Sequence, residues 1–552
     1  MIRGFSGAVA LAALLVLSAC QSGIPALPIA RTGPVSGGQV VEAVVGTAGP
    51  LNPLFEQGAN EREIDSVIYQ GLTTINSRQQ VVGLLARSWT LSSDGLTYAF
   101  TLRNDARWAD GAPFNADDVM FTFATFQSPD YQDPTQQLWK DVTVEKVNQQ
   151  QVKFTLKAPS AAFPLALRQG ILPRHLFQGV RIADMTRSPR SGGRAVGTGP
   201  FMVSSISADH HVVTLDRNPY ANPRPYLDHF IFRSYATAAD AMDAVSRGEA
   251  DAFGDLQPQG VAALARHPDV NLMQIRTFNF TAVYFNLIPD LAVFFEPPAV
   301  RQALTQAIDR KKIVDDVLAG HADPATGPIP PSDWAYDRQA GGKYPFNPGQ
   351  ATKTLQAAGW TMNLQTGVLE KGGRSFQVQL VTADAYPYRQ VAESVRDQLR
   401  LIGVQVLIEP VPASVLVSKY LIGKQFQLAL ADFDNGSDPD QSQLWHSGAA
   451  NDSLNFTTAD RLPKQALIDK DLEDGIGRVD NGVVKTDAAS RLTAYADFQA
   501  LMADAAPAVF LFEPQYTYIV SRRVRGVHTN PVIEPTDRFE YVADWYATNE
   551  GG

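Results

Sequence analysis

The sequence predicts an α/β chain, α+β within its local units, and three observations predict it. Short β-branched runs alternate with amphipathic helical stretches along the chain. A hairpin-like pair of alternating segments passes directly into a capped helix between residues 88 and 126. The 552 residues, 45% of them hydrophobic, exceed what one core usually holds, so two or three domains are expected at roughly 100–200 residues each.

Each element has its own reason. Val40 to Val45 is a β-branched run ended by Gly46, which suits a first strand. In "LNPLFEQGANEREIDSVIYQGL" a Pro-rich turn precedes Ile64, Val67, Ile68 and Leu72 at helical spacing, with Gly71 as the closing residue. "SWTLSSDGLTYAFTLR" (88–103) reads as a hairpin turning at Asp94-Gly95, with Tyr98, Phe100 and Leu102 on one face. In "WADGAPFNADDVMFTF" (108–123) the period changes: Asn115 caps a helix, Asp118 stands in the capping-box position, and Val119, Phe123 and Phe126 form the buried stripe. A second hairpin is expected around 142–147 and 152–156, and "VGTGPFMVSSI" (196–206) returns to strand character. "PPAVRQALTQAIDRKKIVDDVLAG" (297–320) suits two consecutive helices, with Asp309 capping the second and Gly320 closing it. "QVAESVRDQLRLIGVQVLIEPV" (390–411) reads as helix, Gly403, strand.

The N-terminus carries export features. Arg3 supplies a positive charge, Ala8 to Leu17 form a short apolar core, and Ser18 and Ala19 precede Cys20. That core is shorter than the roughly 20 apolar residues of a spanning helix. Leu17-Ser18-Ala19-Cys20 resembles the bacterial lipobox, which implies a signal peptide over 1–19 and lipidation of Cys20. Cys20 is the only cysteine, so the body behind it has no thiol for disulfides, thiolate metal ligands or nucleophilic catalysis. Gln21 to Gly38, rich in Gly, Pro and Ser, reads as a flexible tether.

Net charge is −10, without the basic stripe that nucleic acid demands, so nucleic-acid binding is excluded. The chain has no H-E-x-x-H, G-x-S-x-G or G-x-x-x-x-G-K-[ST]. Gly192-Gly193 and Gly197-Thr198-Gly199 lack the following Lys and Ser/Thr of a phosphate cradle. In an extended segment His210 and His211 point to opposite faces and cannot share a metal. The segment "FQLALADFDNGSDPDQSQLW" (426–445) enters as a strand and breaks at Asp432, Asp434, Asn435, Gly436, Asp438, Pro439 and Asp440. Two readings stand side by side. Aspartates beyond a strand's C-terminal end hold a cation or a ligand amine, or they are turn formers. Calcium does not fit, because the glycine of Asp432-x-Asp434-x-Gly436 comes one position early and no glutamate stands at the twelfth position.

Taken together, "LNPLFEQG", "IYQGL", "LARSWTLSSDGLTYAFTLRNDARWADGAPFNADDVMFTF", "LPRHLF", "GTGPF", "YFNL", "VRQALTQAIDRKKIV", "AAGW" and "DPD" resemble the solute-binding proteins of bacterial peptide-type ABC transporters (family 5), in the family's order. The resemblance covers nearly the whole mature chain. It implies a two-lobed periplasmic-binding-protein type II fold with an inserted domain (cluster C). The first lobe is placed at 39–76, 197–283 and 514–552, the insert at 77–196 and the second lobe at 284–513. It further implies a monomeric, non-enzymatic lipoprotein without a cofactor or metal, outside the cytoplasm, closing on peptides and delivering them to permease subunits. Asp434 matches the family's ammonium-binding aspartate, Asp432 comes second and Phe433 takes the pocket's aromatic position. Asn286 and Asn60 complete the implied ligand set. The chain departs from the family in "DFDNGSDP" and at Thr382, where dipeptide-specific relatives carry an arginine. Longer peptides therefore fit better than dipeptides. The same fold also binds oligosaccharides or nickel chelates in some relatives, and an extracytoplasmic hydrolase is the remaining alternative.

Overall fold

The computed structural model describes residues 33–548 except 134, 255, 257–259, 262, 263, 265, 450–454, 456–461, 478, 481, 482, 485 and 486. The predicted signal, Cys20 and the tether up to residue 32 lie outside the described residues. From Val35 onward the chain forms one compact unit. No helix among the described residues is long and apolar enough to cross a membrane.

The elements that position the site are, in order, β1 (Gln39–Val45), α1 (Ala59–Ile68), β2 (Ala86–Leu91), β3 (Thr97–Leu102), α2 (Ala116–Phe126), β4 (Thr143–Asn148), β5 (Gln151–Thr155), β6 (Phe201–Ile206), β7 (Val212–Arg217), β8 (His229–Tyr235), β9 (Ala252–Gly254), β10 (Val270–Arg276), β11 (Asn279–Phe285), α3 (Pro298–Gln306), α4 (Arg310–Val317), β12 (Ala322–Pro324), β13 (Gln377–Ala383), α5 (Tyr388–Arg400), β14 (Gln405–Val411), β15 (Leu428–Asp434), α6 (Ala488–Ala505) and β16 (Ala508–Ser521). Among the described residues, twelve strands join in one mixed sheet ordered β14-β13-β15-β11-β16-β9-β1-β8-β7-β6, with β10 and β12 also on β16. The 14-residue β16 ties it together. Its first part pairs with β11 and its last part with β9 and β10. The chain therefore crosses between two halves at two neighbouring places, Arg276 to Asn279 and Phe512 to Gln515.

Two large cores follow that division. One joins β11, β13, β15, α3, α5 and α6. The other joins β1, α1 and the C-terminal segment with Tyr98, Phe100, Trp108 and Phe123. The four-stranded sheet β2-β3-β5-β4 thus lies inside the expected insert yet shares its core with the first half. The mixed α/β architecture agrees with the predicted class.

Local chemistry explains most boundaries. Asn115 Oδ1 accepts from Asp117 N at 2.8 Å while Asp118 Oδ2 accepts from Asn115 N at 3.0 Å, so the capping box at α2 is complete. Asp309 Oδ1 caps α4 through Lys312 N at 3.1 Å. Four expectations are corrected. Helix α1 stops at Ile68 because its end is backed by glycine: a Cβ at Gly197 or Gly199 would overlap the Ile68 carbonyl, and Gly199 N donates to that oxygen at 2.7 Å. The same packing delays β6 until Phe201. His210 adopts a left-handed φ of 58° in a turn, not an extended strand. Finally, β15 runs through Asp434, because Asp432 and Asp434 find register partners in Thr281 and Asn279.

Candidate functional site

The C-terminal end of β15 lies beside the N-terminal end of β11, next to the crossings between the halves. Period-two alternation places Asp432 and Asp434 on one face and Phe433 on the other. Asp432 Oδ1 accepts from Thr281 Oγ1 at 2.6 Å, and Oδ2 accepts from the phenol of Tyr388, the first residue of α5. Asp432 is solvent-accessible, yet the protein around its carboxyl pushes it above the usual carboxylate range, with the two hydroxyls partly opposing. Burial and the Asp432 charge raise the Tyr388 phenol, which keeps it a donor. Asp434 is exposed. Its Oδ1 accepts from Gly436 N at 2.9 Å, so it is a turn former, but with only one of about four acceptor positions used by that bond.

The loop beyond β15 is held rigidly. Asn435 Nδ2 donates to Pro328 O at 3.0 Å, Gln441 Nε2 to Asn435 Oδ1 at 2.9 Å, and Trp445 Nε1 to Gln441 Oε1 at 2.6 Å. Arg491 Nη2 donates to both carboxylate oxygens of Asp438, at 2.9 and 2.6 Å, while its Nε donates to Gly475 O at 2.5 Å. Arg491 also stacks over Trp334, 5.0 Å from the ring centre. Asp333, beside this pair, is pushed up to about 7, chiefly by burial, with Asp438 adding to the shift.

The crossings carry a second set of polar atoms. Thr277 Oγ1 donates to Pro514 O at 2.8 Å, and Ser332 Oγ donates to Thr277 O at 2.6 Å. From the first half, Gln79 Nε2 reaches Ser332 O. Around this knot, Gln79 Oε1, Asn279 Oδ1 and Gln515 Oε1 are buried acceptor atoms without a partner among the described residues. Such atoms are costly to leave unpaired and call for N–H donors or water. A 20 Å³ cavity opens at Gln79, lined also by Arg168, Phe278, Asn530 and Asp537 among others.

The structure does not bring all the expected residues together. The Phe433 ring rests on Phe280, centroids 5.8 Å apart, on the sheet face opposite Asp432, so it packs against the core. Asn286 lies just past the far end of β11, seven residues along the chain from Asn279. Its fully buried amide is committed, Nδ2 to Lys424 O at 2.9 Å and Oδ1 to Ile288 N at 3.0 Å. Asn60 sits at the C-terminal end of β1, with Nδ2 on Val45 O at 2.9 Å, and no hydrogen bond among the described residues links it to the β15 aspartates. Thr382 is fully buried in β13, its hydroxyl unpartnered among the described residues. Thr281, Tyr388, Gln79, Asn279 and Gln515 were missed; strand register sets Thr281 against Asp432 and Asn279 against Asp434, the fold brings Tyr388 to Asp432, and Gln79 and Gln515 lie at the crossings. Among the described residues no group of three or more His, Cys, Asp or Glu side chains could hold a metal ion.

Comparison with known proteins adds the following. The family described as "Bacterial extracellular solute-binding proteins, family 5 Middle" matches residues 80–455. The oligopeptide-binding protein AppA of Bacillus subtilis is 27% identical over 466 residues, covering 82% of this chain and 85% of its own. Its structure in complex with a nonapeptide superposes with a TM-score of 0.68 at 25% identity, over 94% of this chain and all of that one. NikZ from Campylobacter jejuni, in complex with Ni(L-His), shares the fold at 23% identity and a TM-score of 0.69, over 92% of this chain and 99% of that one.

Proposed function

Because this chain belongs to the family 5 bacterial extracellular solute-binding proteins, which are transport binding proteins and not enzymes, we propose that it captures oligopeptides between its two halves. The observation that carries the reading is that Asp434 stands opposite Asn279, whose Oδ1 is a buried acceptor without a partner among the described residues, beside crossings that hold two more such acceptors. A peptide supplies what this set lacks: an N-terminal ammonium for a carboxylate and main-chain N–H groups for the acceptors. Asp434, with its open carboxylate, is the proposed ammonium anchor, and Asp432 orders Tyr388 beside it. The buried Thr382 argues against a side-chain clamp for a dipeptide's carboxylate, so the cargo is longer.

In the same proposal the lobes divide at 39–76 with 197–283 and 514–552 against 284–513, and 77–196 is the insert. Cys20 carries the lipid that keeps a monomeric receptor at the outer face of the membrane, where permease subunits of an ABC transporter take its cargo. Thin-layer analysis of radiolabelled palmitate in wild-type and Cys20→Ala protein checks the anchor.

Calorimetry with tri- to nonapeptides tests the cargo. Free-amine peptides should bind wild type at least about tenfold more tightly than their N-acetylated forms, since a charge-assisted hydrogen bond contributes about 1.5–3 kcal/mol. Asp434→Asn should abolish that difference. Equal affinity of the two peptide forms for wild type would remove the ammonium anchor, and mass spectrometry of co-purified solute would then distinguish a nickel chelate or oligosaccharide as cargo.

A further inference from the structure

Away from the cleft carboxylates, the second half contains a cavity of about 180 Å³. It is lined by Arg310, Thr305, Thr326, Tyr336, Met502 and Phe510 among others, and no aspartate or glutamate lines it. Its origin is topological. β12 ends at Pro324 and Ala325 N closes the edge of β16 on Leu511 O at 3.1 Å, beyond which the Phe510 carbonyl takes a side-chain donor. Arg310, the first residue of α4, supplies one: Nε donates to Phe510 O at 2.6 Å. That bond uses one of five guanidinium N–H groups. The others have no hydrogen-bond or acidic partner among the described residues. Burial accordingly lowers the Arg310 guanidinium to about 10, with no opposing charge to restore it. The other cation at the rim, Lys343, is already paired with Asp504. The Phe510 ring meets Phe280, centroids 5.2 Å apart, so the cavity lies on the sheet face opposite Thr281 and Asp432.

We propose that this cavity binds a short aliphatic carboxylate, its anionic head on the free Nη groups of Arg310 and its chain among Met502, Phe510 and the alanines of α6 and β16. A half-buried guanidinium without a counter-charge is costly, and a bidentate carboxylate is the partner its fork fits best. The size agrees, since a cavity of about 150 Å³ is enough for a benzene-sized molecule. The site is separate from the solute cleft and does not depend on which solute the cleft takes.

Ligand-observed NMR and calorimetry of the whole chain with sodium butyrate test this, with butyramide as the uncharged control. Butyrate should bind at least about tenfold more tightly than butyramide. Arg310→Gln should erase that preference, and Ala503→Phe, which fills the cavity from α6 and leaves Arg310 in place, should abolish binding. A peptide that saturates the cleft should leave butyrate affinity unchanged. Thermal melting reports whether each variant is folded, and if Arg310→Gln is not, Ala503→Phe decides. Absence of butyrate binding to wild type at about 10 mM, wild-type affinity in Ala503→Phe, or displacement by the cleft peptide would each overturn the proposal.

Discussion

Two carboxylates in similar sequence surroundings differ because of what stands opposite them. Asp432 and Asp434 are two residues apart, but Thr281 and Tyr388 converge on the first, whereas the local backbone at Gly436 engages the second. A third carboxylate, Glu513, is buried on β16 within the crossing, and burial pushes it up to about 8, with Asp323 adding to the shift and Arg276 opposing it. The folded chain therefore holds a proton there that the unfolded chain has released. Stability then falls as pH rises through the window between 4.5 and about 8, and is level above it. The slope is at most about 1.4 kcal/mol per pH unit for this one group. Glu513→Gln is neutral at every pH, so it should flatten the decline in Tm across that window and melt higher than wild type in alkaline buffer. Superimposable Tm-against-pH curves for the two proteins would falsify the assignment.

At the scale of elements, the strongest local signals are the caps. The Asn115 capping box starts α2, whose Val119, Phe123 and Phe126 are buried in the first-half core. Asn115→Ala should cost about 1 kcal/mol in urea unfolding. A larger loss is expected at Gly199, where a methyl group would press on the Val67 and Ile68 carbonyls. Gly199→Ala should cost on the order of 1–3 kcal/mol, the usual penalty of overpacking. If Gly199→Ala proved the milder of the two in the same titration, the tight seam between α1 and β6 would have to be abandoned. The contrast also explains the misplaced boundaries. Capping acts within one turn and is readable from neighbouring residues, whereas the end of α1 is enforced by glycines more than a hundred positions away.

The two halves share one sheet, are joined by two adjacent crossings and meet at polar points on either side of them. Gln79 meets Ser332, and Ala161 N donates to Ile476 O at 3.2 Å. A bound solute that touches both halves shifts the balance toward closure. Small-angle scattering should therefore show a smaller radius of gyration when a tightly bound peptide is added. Gln79→Ala, which removes one cross-groove contact, should widen the peptide-free envelope. An unchanged radius with demonstrated peptide bound would end the clamping account.

The sequence by itself determined the α/β class, the caps, most strands and helices, and the family, because these depend on residues within a few turns of one another. It also located the acidic stretch after "FQLALADF". Whether those aspartates were strand or loop, and which way Phe433 faced, was decided only by pairing with β11, some 150 residues earlier in the chain. Pairing likewise placed Asn286 just past the far end of its strand, and the fold set Gln79, Asn279 and Gln515 at the crossings between the halves. The physical reason is that a strand's face and neighbours are set by its register with distant segments, and local composition contains no information about that register.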